Sequence, residues 1–420
     1  MVHGGMHRHR GGKDDFGIGG LMKILHINSV CGVTGTGRIV ADLYSAAASG
    51  GHECRIAYGE HKYNNAPGDM QVMEIGTVRD CRTHAILTRL FDMQGFGSRR
   101  ATRLFLEKVD AYGPDVIHLH NLHGYYINIE LLFQYLKQKK VRVVWTLHDC
   151  WAFTGHCVYF QNAGCGKWRE QCHRCPLVRQ YPASLWLDRS RQNYLKKKAL
   201  FTGLEDMTIL VPSHWMETRV RESFLKDYRI KVIYNGIDLD IYRPTPGGFR
   251  RKYGLEGQFI VLGVANVWEE RKGLGEFLKM AELLGEGYRI VLVGLSEEQL
   301  ARLPEGVLGL PRTDTARELA EIYTAADVFV NPGREETFGL TVAEAMACGT
   351  YPIVYAGTAC AEVAEQGIGR AVAGGVEELA QAVRDYRENG LAEGIEKYAR
   401  CFSGERFGAE VLAAYGEEGL

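Results

Sequence analysis

The chain has 420 residues, too many for one hydrophobic core of about 250–300 residues and comfortable for two. Fifty Lys plus Arg against fifty-one Asp plus Glu leave a net charge of −1, so no whole-molecule field holds nucleic acid and any anion site must be local. The composition is ordinarily globular, with 46% hydrophobic and 24% charged residues, and no run approaches the roughly 20 apolar residues that cross a bilayer.

The opening segment MVHGGMHRHRGGKDDFGIGG lacks an apolar h-region and is not a secretory signal. Residues 1–21 are expected to be disordered, an upstream extension or an expression remnant, and MKILHINSV from Met22 reads as a domain start. KILHINSV predicts a strand and CGVTGTG a glycine loop. The following segment sets Ile39, Val40, Leu43 and Ala47 near helical spacing. Strands are then expected in CRIAYGE, DVIHLHN, VRVVWTLHD and TILVPS, alternating with helical segments, which argues for a parallel doubly wound sheet. Beyond the turn-rich residues 238–248 the pattern restarts with FIVLGVAN, LGEFLKMAELL, RIVLVGL, VFVNP and YPIVYA. The expected organisation is an α/β chain of two Rossmann-like domains facing across a cleft. An acceptor-side domain occupies residues 22–240 and a donor domain residues 241–397. Residues 398–420, with spaced Phe402, Phe407, Val411, Leu412 and Tyr415, form a helix packing back on the first domain. Ligands of such sheets bind beyond the carboxyl ends of the strands.

NPGREETFGLTVAEAMACG runs from a strand end into a short helix starting near Leu340. Free backbone N–H groups and the helix dipole make that start an anion site. Glu336 and Glu344 flank it. Carboxylates are poor company for phosphate but good acceptors for vicinal hydroxyls, so the pairing suits a nucleotide sugar; capping or solvated glutamates are the plainer alternative.

The E-x7-E spacing of Glu336 and Glu344 within EETFGLTVAEAMACG resembles the signature of glycosyltransferase family 4 (group 1), whose members are retaining and of GT-B type. CGVTGTGR, VPSHWMETRV, VIYNGIDLDIYRP and AEIYTAADVFVNP resemble further family segments in family order. The resemblance implies that Glu336 contacts sugar hydroxyls, Glu344 the ribose, and the amides of Thr337, Phe338, Gly339 and Leu340 the sugar and diphosphate. Lys272, in RKG, would neutralise the departing diphosphate, a role that also follows physically because developing phosphate charge in a closed cleft needs a fixed cation. The Arg usually paired with this Lys is matched here by Asn266, leaving Arg271 to supply the charge. Gly35 and Gly37 would let the backbone approach donor phosphates or acceptor. A dinucleotide fingerprint fits them poorly, since Val40 takes the third glycine position.

His148 ends VRVVWTLHD, where loops face a cleft; the resemblance places it beside the transferred sugar, with Asp149 as its neighbour. Family chemistry implies a front-face route in which the leaving phosphate takes the acceptor proton. No catalytic divalent cation is expected, since no D-x-D-like motif stands in a suitable context. His118 and His120 share a strand face and could bind metal, but with His123 they are read as lining the acceptor side or packing locally.

Five of eleven cysteines lie between Cys150 and Cys175. Cys157, Cys165, Cys172 and Cys175, spaced C-x7-C-x6-C-x2-C, match a structural zinc site that would fold a loop lacking its own core; buried thiols or disulfides are the alternatives. A similar insert occurs in relatives resembling capsule and exopolysaccharide transferases, and it is expected to shape the acceptor entrance. DRSRQNYLKKKALF reads equally as a solvated helix or as a basic face for anionic lipid.

The expected function is transfer of a hexose-type sugar from a nucleotide-diphosphate sugar to a glycan or lipid-linked glycan. The expected setting is cytoplasmic, with peripheral contact at the inner membrane face if that basic helix docks. The rivals are a sugar-nucleotide epimerase or phosphorylase on the same architecture, or a non-catalytic sugar-nucleotide-binding scaffold.

Overall fold

The computed structural model describes residues 20–59, 66, 68–365, 368–390 and 394–417. Most of the N-terminal segment expected to be disordered, residues 1–19, lies outside them. The first sheet holds seven parallel strands: β1 (Lys23–Ile27), β2 (Glu53–Tyr58), β3 (Val72–Glu74), β4 (Val116–Leu119), β5 (Arg142–Thr146), β6 (Met207–Val211) and β7 (Arg229–Val232). Their order is β3-β2-β1-β4-β5-β6-β7. The second holds six: β8 (Phe259–Val264), β9 (Tyr288–Val293), β10 (Val307–Leu310), β11 (Val328–Asn331), β12 (Tyr351–Tyr355) and β13 (Arg370–Val372), ordered β10-β9-β8-β11-β12-β13. Both are doubly wound, with the order reversing between β1 and β4 in the first and between β8 and β11 in the second. Those reversals are where the loops part and a crevice opens beyond the strands.

Strands covered by helices on both faces are buried on both, so they read as continuous apolar runs. β4 and β6 are buried at every position. The edge strands β3, β10 and β13 are short and half-exposed, and the apolar pattern does not announce them.

The chain crosses between the sheets twice. After β7 it runs through Ile237 to the second sheet, and it returns beside that segment at Phe402–Gly404. Ile237 N–H donates to Phe402 O at 2.8 Å, and Gly404 N–H donates to Ile237 O at 3.0 Å. The helix Gly404–Tyr415 then lies against the first sheet, burying Phe407, Val411, Ala414 and Tyr415 with Ile24, Ile39 and Leu43.

Candidate active site

A cavity of about 530 Å³ lies between the two sheets. Its walls come from loops leaving the carboxyl ends of β1 (Thr34, Gly35, Arg38), β5 (His148, Tyr159), β8 (Asn266, Arg271, Lys272), β10 (Arg312, Thr315) and β11 (Glu336 to Thr341). A second depression, beside Lys23, Glu53 and Val72, sits at strand starts, the wrong end for a ligand site in this architecture.

The helix Leu340–Ala347 begins on Gly339, which takes φ +102° and makes no side-chain cap. A Cβ there would stand 2.7 Å from Cys360 Sγ, so only glycine permits this turn. The uncapped start turns unpaired N–H groups toward the cavity, with the positive end of the dipole behind them. Lys272 and Glu336, from the loops either side of the β8/β11 reversal, form an ion pair at the cavity wall. Arg271 donates to Glu269 at 2.8 Å and lies 5.3 Å from the Tyr159 ring. Asn266 lines the same wall, so Lys272 and Arg271 bring cations to the region where the family usually has a Lys–Arg pair.

Glu344 sits one turn down the helix, buried. Burial raises its pKa against the pull of Arg38, and Tyr323 OH donates to its Oε2 at 3.0 Å. Phe338 is buried against Tyr234 and Phe402, so only its backbone can face a ligand. Thr337 ties the domains together. Its hydroxyl donates to His148 O at 2.8 Å, and its carbonyl accepts from Ser213 Oγ at 2.8 Å. Gly35 lines the same cavity, and a Cβ added there would stand 3.6 Å from Leu340 Cδ1, an ordinary contact. Gly37 does not reach the cavity. It is buried at the start of the helix Thr34–Ser49, where a Cβ would press on Val30 at 3.1 Å and Gly32 N at 3.3 Å, so its requirement is internal packing.

On the opposite wall, His148 ends a chain of buried imidazoles. Its Nε2 lies 3.0 Å from His120 Nδ1, and His120 Nε2 lies 3.2 Å from His26 Nδ1. Burial lowers the pKa of His148 to about 4 and that of His26 to about 3, so both are neutral at pH 7. His118 pairs in register with His26 and is bonded to Tyr415 OH and Thr146 Oγ1, both at 2.7 Å. His26, His118 and His120 are the one group of three potential metal ligands drawn together among the described residues. Every ring nitrogen of the trio but His26 Nε2 already has a partner, which marks a satisfied core network rather than a metal cage. His123 belongs elsewhere: it bridges Asp149 Oδ2 (2.6 Å) and Tyr181 OH (3.0 Å). Burial pushes the Asp149 carboxyl up, but His123 and the Trp151 N–H outweigh it and hold the pKa below the ordinary value.

In the cysteine-rich insert Cys157, Cys165, Cys172 and Cys175 all line one small cavity, although no three of their sulfurs lie within 4.8 Å of one another. Cys157 and Cys175 hydrogen-bond as a pair, which lowers Cys175 to about 7, while Cys172 accepts from Gly155 N–H at 3.2 Å. The insert also has the core it was expected to lack: Trp168 stacks on Phe160 at 4.8 Å and packs on Phe153 at 5.3 Å. Two buried charges tie it down. His156 pairs with Asp92 at 2.6 Å, and Lys197 Nζ donates to Trp151 O (2.7 Å) and Thr154 O (3.1 Å) over the Trp151 ring. The Lys196–Lys198 run is therefore not one basic face, because its middle lysine is spent inside.

The insert also reaches the donor side. Glu335 Oε1 accepts from Asn162 N–H at 3.0 Å, and Tyr159 enters the cavity beside Arg271. Tyr159, Arg38 and the imidazole chain behind His148 are site features that residue spacing does not reveal. The one available signal was the position of the insert immediately after β5.

Residues 33–241 match the family model described as Glycosyltransferase Family 4, and residues 258–389 the model described as Glycosyl transferases group 1. The chain is 29% identical over 235 residues to the putative colanic acid biosynthesis glycosyl transferase WcaC of Escherichia coli, covering 52% of this chain and 55% of that protein. It is 30% identical over 206 residues to the alpha-galactosylglucosyldiacylglycerol synthase of Streptococcus pneumoniae, covering 46% of this chain and 54% of that one. The chain thus spans about half the length of the curated relatives it matches. Among solved structures, sucrose-phosphate synthase from Thermosynechococcus elongatus superposes with a TM-score of 0.70 at 18% identity, covering 94% of this chain and 98% of that one. Anabaena HepE, in complex with UDP and glucose, superposes at 0.65 and 16% identity, with 94% and 99% covered. These neighbours share the two-domain GT-B-type fold.

Proposed function

Because the chain belongs to the glycosyltransferases that join a family 4 domain to a group 1 domain, we propose that it moves a hexose-type sugar from a nucleotide-diphosphate sugar to a glycan or lipid-linked glycan, with retention. The observation that carries this reading is the uncapped start of Leu340–Ala347 facing Lys272 and Glu336 across one cavity. Peptide N–H groups and cations there suit a diphosphate, and the carboxylates on either side suit hydroxyls. In this reading Glu344, held by Tyr323, takes the ribose hydroxyls and Glu336 those of the sugar. The UDP and glucose named for HepE and the colanic acid biosynthesis named for WcaC support this donor and acceptor reading.

In the reaction, the bond from the anomeric carbon to the diphosphate oxygen breaks. A bond to the acceptor oxygen forms on the same face, and the acceptor proton passes to the departing phosphate. Negative charge grows on the diphosphate throughout, which is where fixed N–H groups and Lys272 lower the barrier. His148 is neutral at working pH and so contributes a hydrogen bond rather than a charge. An orphaned buried N–H is the least tolerated arrangement, so the proton-free nitrogen of the chain falls on His26 Nε2. Each Nδ1–H then donates down the chain, and His148 Nδ1–H is left for the substrate. No zinc enters the transfer step; Cys157, Cys165, Cys172 and Cys175, which line one small cavity, would hold a structural ion within the insert.

Glu336→Gln tests it. Transfer should fall about a hundredfold while the melting temperature stays within a few degrees. Unchanged transfer would reject the sugar role of Glu336. A product that is an epimerised or phosphorylated sugar would replace the reading with one of its rivals, and failure to bind any UDP-, GDP- or ADP-sugar would remove it.

A further inference from the structure

The acceptor side of the first domain carries an apolar surface that no other part of the described chain covers. Trp186 is 78% exposed and Leu185 58%, with Leu187 beside them. This loop abuts the helix Val78–Phe91: Leu185 N–H donates to Arg89 O at 2.8 Å. Ile86 and Leu90, one turn apart on that helix, are exposed together with Phe91. Six exposed large apolar side chains therefore lie on two adjoining elements, where surface apolar residues are ordinarily scattered singly.

The charge around them is mostly positive; the exposed Asp188 beside Leu187 is occupied in accepting from the Cys175 and Ser190 N–H groups. Arg79, Arg82 and Arg89 are exposed on the same helix. Its first-turn acid, Asp80, is taken up by capping Thr77, and the Asp92 that follows is buried against His156. Arg179 and Arg191 flank the loop, both exposed. In a chain of net charge −1 this is a local basic field. The patch also adjoins the chemistry. Tyr181, four residues before Leu185, bonds His123, which bonds Asp149 next to His148.

We propose that this surface docks on an anionic lipid bilayer, with Trp186 and its neighbours inserted at headgroup depth and the arginines on acidic headgroups. Exposed Trp and Leu on a basic field are the composition of an interfacial anchor, and a tryptophan ring is at home where one end is apolar and the other wet. Docking here would set the His123–Asp149 side of the cleft at the membrane surface, where a lipid-linked acceptor presents its sugar. That purpose rests on the proposed function; the binding itself does not.

The test is vesicle flotation of the full chain, with phosphatidylcholine vesicles against phosphatidylcholine mixed with phosphatidylglycerol. The protein should float with the mixed vesicles only, and salt should weaken binding. Arg82→Glu and Arg89→Glu should each lower partition at least about fivefold, and Leu185→Ser with Trp186→Ser about tenfold. All four side chains are exposed, so melting temperature and the thermal shift with UDP should not move; a variant whose melting temperature falls is replaced by Trp186→Gln. Absence of binding to mixed vesicles, or binding that the loop variants leave intact, overturns the proposal. So does a dimer that Trp186→Ser converts to monomer without any vesicle binding, which would give the patch to a second copy. Wild type that floats but binds no nucleotide would sink the proposed function and leave the docking surface standing.

Discussion

The two walls of the cleft are built by different means. The donor wall is local: two loops beside one strand reversal supply Lys272, Arg271, Glu336 and the start of Leu340–Ala347, and much of its work falls to the backbone. The acceptor wall is assembled from segments far apart in the chain. His148 is backed by His120 and then by His26, Asp149 by His123 and Tyr181, and the insert by Asp92 and Lys197. A site made of peptide N–H groups at a strand–loop–helix junction leaves a compact signature. A site made of side chains from register-paired strands has none until the pairing is known.

The comparison makes ordered claims. The largest concerns the donor wall. Lys272→Ala should lower kcat by about 10²–10³, since it removes one fixed cation from the developing diphosphate charge; a loss confined to donor KM would reduce Lys272 to a binding residue. Next comes the fastening of the insert. The Lys197 pKa, lowered by burial to about 7, lies below its ordinary value of 10.5. Above pH 7 the unfolded chain therefore holds a proton that the folded chain has released, so this lysine makes stability rise with pH, approaching about 1.4 kcal/mol per unit. Denaturant melts of wild type and Lys197→Met between pH 7 and 8.5 should differ by that slope, and parallel curves would contradict it.

A smaller effect tests the acceptor wall. His120→Phe should cut kcat about tenfold with donor KM nearly unchanged, because it removes the partner that orients His148. His120→Gln, able to donate to His148, should recover part of the rate; equal rates in the two variants would mean that His120 is only core packing. The smallest effect tests the bridge between the walls. Tyr159→Ala should raise donor KM about two- to fivefold through loss of its contact with Arg271, and an unchanged KM would confine the insert to the acceptor side.

Much of the fold was legible because strands buried on both faces are continuous apolar runs: FIVLGVAN and RIVLVGL announce β8 and β9 directly. The short edge strands β3, β10 and β13 were not, since a few half-exposed residues carry little pattern. The donor loop was legible through Glu336, Glu344 and the glycine before Leu340. At Gly37 sequence could not separate the two demands, because a glycine needed for packing against Val30 looks like one needed for ligand approach. The insert's core was not legible either: the stacked Trp168, Phe160 and Phe153 meet only in the folded insert, so the loop looked coreless in sequence. Tyr159 and Lys197 had no signature, since their roles exist only once the insert lies across the cleft.

The most direct test of the account is a crystal structure with a bound nucleoside diphosphate. The diphosphate oxygens should lie within hydrogen-bonding distance of the peptide N–H groups at Gly339 and Leu340, with Lys272 Nζ turned from Glu336 toward them. A diphosphate seated on the Thr34–Thr36 turn that opens the helix Thr34–Ser49, away from Leu340, would contradict it.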